Sequence, residues 1–140
     1  MTDKARNLLG LMRRAAALEP GEDRSADAVR AGKARLLLFA SDVSDGARRR
    51  AETLADGRST VVLTLPGDRE ELGGAIGLAS CAMAAVTDMG FANALMKLLT
   101  EEDSERYGEA AEAVSRRWDK AQRRKKESRV ARQAKMKRRN

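Results

Sequence analysis

Apolar residues along this chain recur every three or four positions in some stretches and run together in others, and the switching between these two habits predicts its elements. Leu8, Leu11, Met12 and Ala15 stand at helical spacing, so residues 3 to 17 read as an amphipathic helix that leaves Arg6, Arg13 and Arg14 to solvent. Pro20-Gly21 ends that stretch in a turn. From Glu22 onward Ala26, Val29 and Arg30 mark a second, shorter helix, and Gly32 supplies its stop. Arg35-Leu-Leu-Leu-Phe-Ala40 is then almost continuously apolar, the pattern of a strand buried on both faces of a sheet.

Ser41 to Asp45 offers N-caps for a third helix with Ala47, Ala51 and Leu54 inward, Arg48, Arg49 and Arg50 outward, and Gly57 at its end. Thr60 to Thr64 is a second strand. Asp68 and Glu71 form a capping box that opens a helix through Leu72, Ala75 and Ile76. Ala82 to Val86 makes a third strand, weakened by its alanines. Thr87-Asp88 caps a helix whose stripe is Phe91, Leu95, Leu98 and Leu99. Strands alternating with helices at this pitch, over residues 1 to 100, predict an α/β fold: a three-layer α/β/α sandwich with a small mixed sheet.

Residues 101 to 140 carry a different pattern. Tyr107, Ala111, Val114, Trp118 and Ala121 are spaced 4, 3, 4, 3, one face of a helix that docks either on the body or in a partner protein's groove, with Trp118 as anchor. The continuing positions Lys125, Ser128 and Arg132 are polar, so residues 122 to 140 cannot bury enough apolar surface to order themselves, and read as disordered or as a fraying, solvated helix.

Charge follows the same division. From Ser115 to Asn140, thirteen basic residues (Arg116, Arg117, Lys120, Arg123, Arg124, Lys125, Lys126, Arg129, Arg132, Lys135, Lys137, Arg138 and Arg139) face only Asp119 and Glu127, a net of +11. The remaining 114 residues are left at −4, so the overall +7 averages a mildly acidic body and a cationic extension. Such a segment meets a polyanion, with RNA or DNA ahead of an anionic membrane or an acidic protein, or else serves only to solubilise the chain. A membrane helix would want bulky apolar residues opposite the charges, and the distal tail has only Val130 and Met136.

Several chemistries are excluded or weakened. The chain has no histidine, so it has neither a Ser-His-Asp set nor a Cys/His zinc cluster, and Cys81 is alone. Cys81 reads as a small buried hydrophobe. Asp42, Asp45 and Asp88 sit at capping positions and do not form a metal set. Gly73, Gly74 and Gly77 fall within a helix pattern, so they form no phosphate cradle. Four aromatic residues in all give no base-stacking platform. No cofactor is expected. The longest apolar run and the N-terminus offer neither a bilayer span nor a signal peptide, which with the lone cysteine suggests the cytoplasm.

Three segments in order, Gly32 to Asp42, Glu71-Leu-Gly-Gly-Ala-Ile-Gly77 and Ala84-Ala-Val-Thr-Asp-Met-Gly-Phe-Ala-Asn-Ala-Leu95, resemble the ribosomal protein L-seven-Ae superfamily, closest to its bacterial YlxQ-like branch, over residues 5 to 97. The resemblance implies an α/β/α sandwich that binds kink-turn RNA without a cofactor or catalysis. It places RNA contacts at Gly21, Glu22, Asp23, Arg24 and Asp27, and at the loop residues Ser80, Cys81 and Ala82. The motif is altered: Asp23 stands where Asn is usual, Arg24 where Glu is usual, and Asp27 where a phosphate-binding Lys is usual. A carboxylate about 4 Å from a phosphate is repelled by about 1 kcal/mol in bulk water and about 4 kcal/mol at an effective dielectric near 20. Kink-turn recognition by this surface is therefore expected to be weakened or lost.

The combined expectation is a noncatalytic RNA-binding protein associated with structured RNA such as ribosomal RNA, or with a ribosomal or ribonucleoprotein partner, with the tail supplying phosphate contacts. The alternative is a protein-interaction or ribosome-assembly adaptor docking through the Tyr107 to Ala121 stripe.

Overall fold

The computed structural model describes residues 1–139; Asn140, the end of the expected tail, lies outside them. In chain order the elements are α1 (Asp3–Arg14), β1 (Leu18–Pro20), α2 (Glu22–Arg30), β2 (Leu36–Phe39), α3 (Asp45–Ala55), β3 (Val61–Thr64), α4 (Arg69–Ala75), β4 (Met83–Val86), α5 (Met89–Glu102) and α6 (Ser104–Arg139). The strands lie in the order β1-β4-β2-β3. β2 and β3 run parallel while β4 is antiparallel to both β1 and β2, so the sheet is mixed.

Side chains alternate across the central strands and so build two cores. Leu36 and Leu38 of β2 with Ala84 and Val86 of β4 face Ala5, Leu9 and Met12 of α1 and Leu95, Met96 and Leu99 of α5. Leu37, Phe39, Met83 and Ala85 point the other way, against Val29 of α2 and Ala47, Ala51 and Ala55 of α3. Alanines at every fourth position keep α3's inner face small, which lets it lie close on Phe39. The expected sandwich is present, with α2 and α3 on one face and α1, α4, α5 and the start of α6 on the other.

Three local expectations need correction. Leu18 to Pro20, assigned no element by the apolar pattern beyond the turn at Pro20-Gly21, is an edge strand paired with β4 (Leu18↔Val86, Pro20↔Ala84). Proline is tolerated there because an edge position needs no ladder donor on its open side. In α1 the core face is Ala5, Leu9 and Met12, whereas Leu11, placed inward by spacing, is 47% exposed. That helix also stops at Arg14, three residues earlier than its apolar pattern suggested. Capping is as expected: the Asp68 carboxylate accepts from the Glu71 N–H at 2.9 Å, and that of Asp88 from the Phe91 N–H at 2.8 Å.

Gly73 holds α4 against the loop before β4: a Cβ there would fall 2.7 Å from Ser80 Cα and 2.8 Å from its backbone nitrogen. Gly73→Ala is expected to lower unfolding free energy by about 1–3 kcal/mol through this backbone clash. Gly74→Ala, where a Cβ would meet nothing within 4 Å, should raise stability by about 0.5–1 kcal/mol through helix propensity. Urea denaturation of the two variants checks the pair; equal effects would contradict the close approach.

Candidate nucleic-acid interface

Gly21, at φ 91, is the N-cap residue of α2 and offers no side-chain cap. Its N–H donates to the Met83 carbonyl at 2.7 Å. That bond seats the start of α2 beside the start of β4, so the β1–α2 turn and the Ser80-Cys81-Ala82 loop adjoin. The structure therefore brings together the two segments in which the resemblance placed RNA contacts.

The chemistry of the β1–α2 turn is acidic. The partial positive charge at a helix N-terminus attracts phosphate, but here Glu22 and Asp23 occupy the first turn of α2. Glu22 takes a forked hydrogen bond from Arg50 of α3, at 2.7 and 3.3 Å, and this holds its carboxyl below the usual carboxylate range. Arg24 pairs with Glu19 at 3.0 Å, and Asp27 lies 3.5 Å from Arg30. Asp23 and Asp27 are both exposed. Arg24, Arg30 and Arg50 are thus engaged by neighbouring carboxylates. Between α2 and α3 opens a cleft of about 820 Å³ that includes the apolar Val29, Leu37 and Met83 among its lining, with Glu22 and Arg50 on its rim.

In the adjoining loop Ser80 is exposed and Ala82 half-buried. Cys81, named among the loop contacts, is buried in the core and its thiol donates to the Met83 carbonyl at 3.1 Å. It serves as packing. Ser80 alone of the three is fully at the surface.

The other expected element is α6, a continuous helix of 36 residues. Its first half docks on the body. Tyr107 is 2% and Val114 1% exposed, both within the main core, and the Tyr107 hydroxyl donates to the Thr64 carbonyl of β3 at 2.7 Å. The Trp118 ring lies over Gly90, 3.3 Å from where a Cβ would stand. The stripe is therefore turned onto this chain's own body, and the partner-groove alternative loses the face it needed. Arg117, expected as a phosphate ligand, hydrogen-bonds the Ser59 carbonyl. Arg116 and Lys120 are exposed.

From Gln122 to Arg139 every described residue is exposed and helical. Of the two states expected for this segment, disorder or a solvated helix, the structure shows the helix. No Gly or Pro interrupts residues 122 to 139, whose Arg, Lys, Gln, Ala and Met are good helix formers, and the docked first half of α6 supplies the turn from which they propagate.

Pattern reasoning missed the links that depend on distant pairs. Arg48 was placed on a solvated face, yet its guanidinium lies 4.9 Å from the Phe39 ring centre and donates to Thr64 Oγ1 at 2.8 Å. Asp42 accepts from the Arg69 N–H at 2.9 Å and so clamps the β2–α3 loop to the start of α4. Only Arg49 of the three consecutive arginines is unengaged among the described contacts and exposed.

The profile of the ribosomal protein L7Ae/L30e/S12e/Gadd45 family matches residues 3–96. The chain is similar to the RNA-binding protein YlxQ of Bacillus subtilis (strain 168), 35% identical over 92 residues, which is 66% of this chain and 91% of that protein. Among solved structures it is similar to a protein of unknown function from Bacillus halodurans C, with 31% identity, a TM-score of 0.65, and coverage of 69% of this chain and 97% of the other. A 15.5kD RNA binding protein from Giardia lamblia shares the fold, with a TM-score of 0.58 at 18% identity over 81% of this chain and 92% of its own. The family match ends at residue 96, before α6 begins.

Proposed function

The chain belongs to the ribosomal protein L7Ae/L30e/S12e/Gadd45 family, and on that footing we propose that it is a non-catalytic, cytoplasmic RNA-binding protein whose affinity resides mainly in the exposed half of α6. The sandwich of residues 1 to 100 presents the protein to structured RNA, ribosomal RNA or a ribonucleoprotein among the candidates, and the extension of residues 101 to 140 supplies the phosphate contacts. No described helix is long and apolar enough to cross a membrane.

One observation carries this reading: ten Lys and Arg against Glu127 lie beyond Ala121, on the half of α6 whose described residues are all exposed, whereas the family surface at α2 is acidic with Arg24, Arg30 and Arg50 paired. Cations free of carboxylate partners release counterions when they meet phosphates, and that release drives binding with little regard to sequence. The paired arginines at α2 would first have to abandon their carboxylates.

The family surface gives a gain-of-function test. Asp23→Asn with Asp27→Lys removes two negative charges and adds one positive charge at an exposed turn. The double variant is expected to prefer a kink-turn RNA by about tenfold over an RNA with the same bulge that cannot kink, a swing of about 1.4 kcal/mol. The parent should show almost no preference in the same anisotropy titration. A parent that already discriminates tenfold would place recognition back on α2.

A further inference from the structure

The distribution of charge around α6 says what shape of RNA it fits. At 3.6 residues per turn, Arg124, Arg132, Lys135 and Arg139 fall within an arc of about 80°. Arg123, Lys126, Arg129 and Lys137 fall within about 120° on the opposite side. Lys125 and Arg138 occupy the two gaps between these arcs, so no sector of the helix lacks a cation. A helix laid on one flat phosphate surface gains from cations on about half its circumference. Cations on the other half would add like-charge repulsion within the helix, to no benefit.

The remaining side chains argue against other occupants. Val130 and Met136 are 55% and 66% exposed, but at 100° per residue they stand about 120° apart and form no stripe for an apolar groove or a lipid surface. The helix is also held at its base. Tyr107, Val114 and Trp118 fix the first half on the body, so residues 122 to 139 project from it as a rod about 27 Å long.

Resting on the RNA-binding reading above, we propose that this rod lies inside a groove with phosphates on both walls: the deep groove of an RNA duplex opened by a bulge or internal loop. A helix with its side chains is about 10–12 Å across. The deep groove of uninterrupted A-form RNA is too narrow for side chains to read, so the opening is required for entry.

The test uses the full chain and two RNAs of equal length: a perfect duplex, and the same duplex with a three-nucleotide bulge that does not form a kink-turn. Two variants are compared with the parent, one carrying Gln at the four positions of the first arc and one at the four positions of the second. The parent is expected to bind the bulged RNA about tenfold more tightly, and each variant to lose a comparable share of affinity, with its salt slope shallower by about 2. Circular dichroism verifies that both variants keep their helix content. If one arc carries nearly all the loss and the other almost none, the rod lies on a surface and the groove proposal is overturned while RNA binding stands. Equal affinity of the parent for the two RNAs also overturns it. If neither variant weakens binding, the tail is not the binding element and the reading beneath the proposal fails as well.

Discussion

A chain ending at Ala121 is expected to bind structured RNA at least about 100-fold more weakly than the full chain near 100 mM salt, with most of its salt dependence gone. The truncation removes ten basic residues and one acidic one, all exposed where described. If six of the ten meet phosphates, the logarithm of the binding constant falls with the logarithm of salt with a slope of about −4 to −5. The body that remains is net acidic, and its arginines at α2 are paired with Glu19, Glu22 and Asp27. Folding should be spared, because Tyr107, Val114 and Trp118 all precede the cut and residues 122 to 139 bury nothing. Anisotropy titration with a thermal melt of both forms separates the two effects. Truncation that leaves affinity within about threefold would move the binding site onto the sandwich.

Tyr107→Ala is expected to cost about 3–5 kcal/mol of folding stability, the range for removing a buried aromatic side chain, out of the roughly 5–15 kcal/mol that a domain has. Tyr107 is buried in the main core and its hydroxyl holds the β3 carbonyl of Thr64, so it fastens α6 to the sheet. Tyr107→Phe keeps the ring and loses the hydrogen bond, and should cost only about 0.5–1.5 kcal/mol. The two variants also differ from the parent in alkali. Burial pushes the Tyr107 phenol above its ordinary value, with Glu102 and Asp103 adding to the rise and Arg106 opposing it. The unfolded chain therefore ionises first. The contribution is fully present below about pH 10, where the phenol is neutral in both states, and is lost as pH rises through the folded value. Urea denaturation of the parent should show stability falling in that window, and Tyr107→Phe should remove this residue's share of the fall. A Tyr107→Ala protein as stable as the parent would mean that α6 is not fastened there.

The sequence made the central strands and the cap positions legible because both are local signals. The apolar run Leu36 to Phe39 identifies a strand covered on both faces, and Asp68 and Asp88 lie one residue before the helices they cap. β1 was hidden because three residues ending in Pro20 have no periodicity to read, and only pairing with Val86, Ala85 and Ala84 makes them a strand. The inner face of α1 was misjudged for a related reason. Leu11 and Leu9 are equally apolar, and the position of α5 and the sheet decides which is covered. At the candidate interface the residues could be named, but not their state. Nothing local shows that Glu22 is held by Arg50, 28 positions later, or that Cys81 turns inward. The charge of the extension was fully legible, whereas its form was not, since composition alone allowed disorder or helix.

Whether affinity resides in α6 or in the α2 surface is decided by the salt dependence of binding by the full chain to two RNAs of equal length, a kink-turn and an RNA with the same bulge that cannot kink. Both affinities are expected to fall together, with a slope of about −4 or steeper and a ratio near one at every salt concentration. A kink-turn bound tenfold or more tightly, with a slope shallower than about −2, would contradict this and return recognition to the family surface at α2.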